Sequence, residues 1–155
     1  AFSQNNLSKR TQGQLGEGLF APKTTKALFL DAMLKDNGWS LMSAYMSRAT
    51  KHPIALNPDD ITEFNYVPVG SGMDYQLSYV FPTNYEIIGR FSTQNMHDDI
   101  KALTPDSKQY SLGVTKYLWE HAFKLQGEVT LSDLNYFDGS NKQNWYVRFQ
   151  LEIGI

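Results

Sequence analysis

The closing stretch of the chain alternates almost without fault between oily and polar side chains. Trp145, Val147, Phe149, Leu151, Ile153 and Ile155 take one parity. Asn144, Tyr146, Arg148, Gln150, Glu152 and Gly154 take the other. A repeat of two sends successive side chains to opposite faces of a β-strand. Strands of soluble sandwiches run to about 5–6 residues. A run nearly twice that long, with an aromatic near its start, has the dimensions of a tilted strand that crosses an outer membrane.

The same pattern recurs upstream. Over 109–118, Tyr110, Leu112 and Val114 alternate with Gln109, Ser111, Gly113 and Thr115 until Lys116 interrupts. Over 121–131, Phe123, Leu125, Val129 and Leu131 oppose Lys124, Gln126, Glu128 and Thr130. Over 74–81, Tyr75, Leu77, Tyr79 and Phe81 oppose Asp74, Gln76 and Ser78. Over 85–94, Tyr85, Ile87 and Phe91 oppose Glu86, Arg90, Ser92 and Gln94. Leu28, Leu30, Ala32 and Leu34 oppose Phe29, Asp31, Met33 and Lys35. Asp36-Asn37-Gly38 then marks a hairpin. After it Trp39, Leu41 and Tyr45 share a face, with Ser40, Met42, Ala44, Met46 and Arg48 on the other. Met42 and Met46 blur the distinction there.

These segments make seven strands. Connections 36–38, 82–84 and 119–121 are tight, whereas 49–73, 95–108 and 132–143 are long and polar. Tight turns at one end and long loops at the other is the layout of an outer-membrane barrel, with turns in the periplasm and loops outside. The expected fold is all-β: an antiparallel, up-and-down transmembrane β-barrel. Residues 25–155 supply the strands. Residues 1–24 are read as an outer loop, with Ala1-Phe2-Ser3 the remnant of a further strand. An odd strand count leaves edges whose unpaired amides cost several kcal/mol each in lipid, and single-chain bacterial barrels have even counts. The chain is therefore expected to be the C-terminal part of a larger barrel.

Composition excludes some classes. A net charge of −2 and a pI near 5.9 lack the basic excess of a general nucleic-acid binder. Without cysteine there are no disulfides and no thiolate metal sites. The mean hydropathy of −0.42 looks soluble, but it averages over a strand pattern in which every second residue meets water. Aromatics make up 14% of the chain, enough for two interfacial girdles. Trp39, Phe81, Tyr85, Trp119 and Phe123 lie near the tight turns; Tyr110 and Trp145 lie toward the long loops.

The candidate functional residues are those of the polar parity. Arg90, Lys124 and Arg148, with Arg48, read either as a basic stripe lining a pore or as partners of Glu86, Glu128 and Glu152 across strands. Glu128 and Glu152 have no spacing that marks a glycosidase pair, so no catalytic residue is assigned. His52, His97 and His121 are scattered without metal-ligand spacing. Asp59-Asp60 and Asp98-Asp99 read as solvated loop charge or as divalent-ion bridges to lipopolysaccharide. Gly70-Ser71-Gly72 lacks the Lys-Ser/Thr of a phosphate loop and reads as a flexible approach to a strand. No metal, cofactor or enzymatic activity is expected.

Several of these segments together resemble a known family. The hairpin from Thr25 through Gly38 to Arg48 is similar to one in the phosphate-selective porin O/P family, in its Bacteroidetes form. So are Tyr85 to Phe91, Tyr110 to Leu118 followed by Phe123 to Gln126, and the closing Val147 to Leu151. The resemblance covers most of the chain from about Thr11 onward. It implies an outer-membrane porin of about sixteen strands, usually a homo-trimer, that passes small anions such as phosphate. Its partners would be outer-membrane lipid and lipopolysaccharide. The polar parity departs from the family's basic lumen, since Asp31, Glu86, Glu128 and Glu152 accompany Arg48, Arg90, Lys124 and Arg148. The functional expectation is passive diffusion of small solutes across the outer membrane. The alternatives are a soluble β-barrel or sandwich that binds a ligand, and a structural barrel subunit of an envelope complex. Strand alternation is blind to which face turns inward.

Overall fold

The computed structural model of the chain describes residues 1–119 and 123–154. Eight strands form one sheet: β1 (Phe2–Arg10), β2 (Gly18–Asp36), β3 (Trp39–Thr50), β6 (Gly70–Val80), β7 (Tyr85–Met96), β8 (Asp106–Trp119), β9 (Phe123–Asn135) and β10 (Asn141–Ile153). Each pairs antiparallel with the next, in that order. The sheet is open, with β1 and β10 at its edges. Between β3 and β6 lies a separate hairpin of β4 (Ile54–Leu56) and β5 (Phe64–Tyr66). A 3-10 turn, Asp98–Ile100, is the one helical piece among the described residues.

The seven expected strands are β2, β3 and β6 to β10. The eighth corrects the reading of residues 1–24. Much of that supposed loop is strand, and only 11–17 connects β1 to β2. Register shifts between Asn5 and Ser8 and between Ser8 and Arg10, with Leu7 at φ 53°, let an irregular polar segment stay paired. The supposed loops at the same end are also shorter than expected. Connection 95–108 contracts to 97–105 and 132–143 to 136–140. Pairs such as Asp133 with Gln143 and Ser132 with Asn144 continue the backbone ladder where both faces are polar. Hydrophobic alternation disappears there, but the hydrogen bonding does not.

The tight turns follow from their residues. Asn37 (φ 44°) and Gly38 (φ 86°) both take the left-handed region that a two-residue hairpin requires. A Cβ on Gly38 would lie 2.8 Å from the Val80 carbonyl oxygen, so the site also needs a bare backbone. Asn84 (φ 62°) closes the turn before β7. The third expected turn, 119–121, falls mostly on residues outside those described, as does the expected apolar position Ile155.

Residues directly opposite in a ladder share a face. The register therefore runs a row across five strands: Leu77, Gly89, Leu112, Val129 and Val147. A second row is Tyr79, Ile87, Val114, Gly127 and Phe149. The Phe149 ring covers the bare Gly127, 3.6 Å from where a Cβ would be. On this face, from Leu28 to Leu34, Leu41 to Tyr45, Met73 to Tyr79, Tyr85 to Phe91, Tyr110 to Val114, Leu125 to Leu131 and Trp145 to Ile153, no residue of the shared parity is charged. Charges of that parity occur only at the ends, as Lys26, Asp36, Asp106, Lys108, Lys116 and Asp133.

Aromatic residues bound this uncharged band. At the tight-turn end Trp39 lies 4.7 Å from Tyr79, which meets Phe81 edge-on at 4.8 Å. A register shift after Tyr117 sets Trp119 opposite Phe123, returning it to the apolar parity. At the loop end Tyr75, Phe91, Tyr110, Leu131 and Trp145 form one transverse row, with the Phe91 and Tyr110 rings 5.0 Å apart. From Tyr85 to Phe91 the band spans about 20 Å along the strand at about 3.4 Å per residue.

Among the described residues none covers the band. Phe149 is 84% exposed and Leu112 58%, whereas Thr130, Thr115 and Ser78 on the polar face are 0%, 1% and 3% exposed. The compact apolar core lies elsewhere, beneath the loops. Val67, Val69, Met96 and Ile100 are buried together, with Leu19 and Tyr66 against them. The Tyr66 hydroxyl bonds that of Thr104 at 2.8 Å, and the Asn65 amide donates to the Gly18 carbonyl at 2.6 Å. Residues 51–69 thereby pack onto the loop-end half of β2 and the 97–105 connection.

Candidate functional site: the polar face of the sheet

Four hollows open on the polar face of the sheet. One of about 290 Å³ is lined by Arg90, Glu128, Arg148 and Gln150, with Thr115 and Gln126. One of about 410 Å³ lies between Phe29, Met46, Asp74, Arg90, Gln94 and Gln109. A third, about 390 Å³, lies nearer the loops against Arg48. A fourth, about 460 Å³, lies near the tight turns between Met33, Met42, Gln76 and Glu86.

The register places Arg48, Arg90, Lys124, Arg148, Glu86, Glu128 and Glu152 all on this face, as their parity requires. They do not form one cluster. Arg90 reaches across to Asp74, with Nη2 and Nε at 2.7 and 2.8 Å from the same oxygen, which also accepts from the Ser92 hydroxyl at 2.6 Å. Asp74 stands opposite Ser92 and diagonal to Arg90, a neighbour visible only once the register is known. The expected partner, Glu86, instead accepts from the Tyr117 hydroxyl. Lys124 meets Glu152 at 3.0 Å across the β9–β10 ladder, so the expected pairing holds there. Lys124 is the second residue of β9 and lies at the tight-turn end.

Arg148 behaves differently. It stands directly opposite Glu128, but among the described residues it makes no ion pair. Its guanidinium lies 5.9 Å from the Tyr146 ring centroid. Glu128 accepts instead from the Thr130 hydroxyl at 3.1 Å, and Thr130 bonds Ser111 at 2.7 Å. Arg48 donates to the Thr11 carbonyl at 3.2 Å and likewise makes no ion pair among the described residues. Among the described residues the face therefore carries two neutralised ion pairs, two arginines without carboxylate partners, the carboxylates of Asp31, Glu86 and Glu128 without cationic ones, and a lining of amides and hydroxyls.

The remaining candidates stay apart from it. His97 caps the 3-10 turn, its Nδ1 3.4 Å from the Asp99 amide; His52 lies in the 51–69 connection, and His121 is outside the described residues. Asp98 pairs with Lys101 at 2.8 Å, and that hydrogen bond holds the Asp98 carboxyl below the usual range. Asp60 is held low by bonds from the Thr62 hydroxyl and amide. No group of three or more His, Asp or Glu able to hold a metal ion occurs among the described residues. Sequence reasoning did not single out Asp74, Tyr117 or the methionines of the polar parity. The signal for the last was the blurred alternation of β3. Among the described residues no helix is long and apolar enough to cross a membrane. No family model, curated protein or solved structure matches this chain.

Proposed function

We infer that this chain is the strand framework of an outer-membrane β-barrel porin, with its polar face lining a water-filled path for small solutes. One observation carries the reading: the sheet is inside-out relative to a soluble β-protein. The apolar parity is uncovered and uncharged between two aromatic rows, while the polar parity holds the hollows and the most buried hydroxyls. A ligand-binding soluble barrel or sandwich needs the reverse, because leaving so much apolar surface in water forfeits about 25 cal/mol per Å². A lipid-facing band of about 25 Å flanked by aromatic girdles is the outer-membrane solution. Open edges are untenable in lipid, so β1 and β10 require partners, from a longer chain or from further subunits. The resemblance of the hairpins to the phosphate-selective porin O/P family points the same way. Selectivity for phosphate is not part of this reading, since Arg90 and Lys124 are engaged by carboxylates.

Adjacent residues of β10 provide the test. Phe149→Arg puts charge in the band and is expected to cost about 2–4 kcal/mol near the bilayer midplane. Gln150→Arg faces the path and is expected to be tolerated. Assembly is read from heat-modifiable gel mobility of the membrane fraction. The reading is abandoned if Phe149→Arg assembles like the parent while Gln150→Arg fails.

A further inference from the structure

The polar face is not polar throughout. On β2 and β3, Phe29 lies opposite Met46 and Met33 opposite Met42, all of the polar parity, with Asp31 opposite Ala44 between the two pairs. Phe29, Met46 and Met33 are 43%, 50% and 55% exposed, so this apolar track is open rather than packed. It borders three of the four hollows. Methionine supplies a soft, adaptable apolar surface that accommodates varied ligands.

Arg48 stands at the loop end of the track. Its register neighbours are Ala27 and Gly70, which supply neither a carboxylate nor bulk. A guanidinium has five N–H donors in a planar fork, and the Thr11 carbonyl takes one of them. The arrangement contrasts with Arg90, whose fork is already occupied by Asp74. The hollow beside Arg48 shares Phe29, Met46, Gly72 and Gln94 with the next one, so charge and apolar lining are continuous. Met46 is two residues from Arg48, about 7 Å along the strand, and Met42 about 20 Å.

Resting on the proposed lumen, we propose that this is a binding site for amphiphilic monocarboxylates. Arg48 takes the carboxylate through paired charge-assisted hydrogen bonds, and the aliphatic or aromatic body lies along Phe29 and Met46. A compact hydrophilic anion such as phosphate gains nothing from the track, and an uncharged alcohol gains nothing from Arg48.

The whole barrel, with the partners that close β1 and β10, labelled at the methionine methyls of this chain and reconstituted in lipid nanodiscs, allows the test by NMR. Met73 has the apolar parity and serves as the lipid-side reference. A water-soluble relaxation agent should broaden Met46 and a lipid-borne one Met73. Octanoate should shift Met46 saturably and leave Met73 unmoved. Arg48→Gln should weaken octanoate about tenfold or more, Arg48→Lys less, and Arg90→Gln little, since a lost charge-assisted bidentate contact is worth at least that factor. Octanol should bind parent and Arg48→Gln alike. Octanoate shifting Met73 alone would mean membrane partition only and would overturn the site. Loss of binding in Arg90→Gln but not in Arg48→Gln would overturn it too. If the two relaxation agents act on the opposite methyls, the facing itself is wrong and the porin reading falls with the site. If they act as expected and octanoate leaves Met46 unmoved, the site alone falls.

Discussion

Gly70 shows how much a single backbone position carries. It opens β6 at φ 150°, and a Cβ there would run into the Asn95 carbonyl and the Met96 Cα. Gly89, on the apolar face of β7, has nothing within 4 Å of where a Cβ would be. Gly70→Ala is expected to cost about 1–3 kcal/mol by overpacking and strain, whereas Gly89→Ala should be nearly neutral. Thermal unfolding of the two variants side by side checks this, and equal losses would contradict it. In the sequence Gly70-Ser71-Gly72 read only as a flexible approach to a strand. The need for glycine arises from a close approach to β7, which local composition does not encode. The parity of Arg48, Arg90, Arg148 and the three glutamates was legible, because alternation fixes faces. Their partners were not, because diagonal neighbours such as Asp74 depend on register between strands.

Among the elements, the central hairpins were the most legible, being the ones with one oily and one wet face. β1, the start of β2, and the facing ends of β9 and β10 were read as loop because their side chains are polar on both faces while their backbones stay paired. The connection 51–69 was read as a polar loop, yet it contributes much of the chain's buried apolar core. Val67 and Ile100 are each fully buried in it, far apart in sequence and supplied by different connections. Ile100→Ala should cost about 2–5 kcal/mol locally. Because that cluster lies outside the uncharged band, the expected result is faster protease cutting within 51–69 with unchanged heat-modifiable mobility. Loss of sheet assembly together with the loop would show that the two fold as one unit.

For the whole molecule, the proposed lumen carries two ion pairs that cancel, two arginines without carboxylate partners and, in Asp31, Glu86 and Glu128, carboxylates without cationic ones among the described residues, so its charge preference is a balance to which Arg148 contributes. Single-channel reversal potentials in a salt gradient should move toward cations in Arg148→Ala. The double change Lys124→Met with Glu152→Gln removes opposite charges together and should leave them where they were. Low salt is the informative condition, since the field decays over about 10 Å at 0.1 M. An unmoved potential in Arg148→Ala with conductance intact would remove Arg148 as a source of anion preference. The sequence made the balance of charges on this face visible, but not which charges cancel.

The order of strands has a consequence for how disturbances travel. Every ladder in the main sheet joins strands consecutive within it, with one intervening excursion, the β4–β5 hairpin. Loop closure is therefore cheap throughout, which favours fast, stepwise zipping over a single concerted search. Within the main sheet each strand is hydrogen-bonded only to those beside it, as units are in a linear array, with the 51–69 segment the one piece that ties β2 to the 97–105 connection. Free-energy changes at β2 and β9, which share no neighbour, should then simply add. Evolution could lengthen, shorten or re-tune one hairpin without renegotiating the others, so the fold behaves as a modular series rather than a single interlocked core.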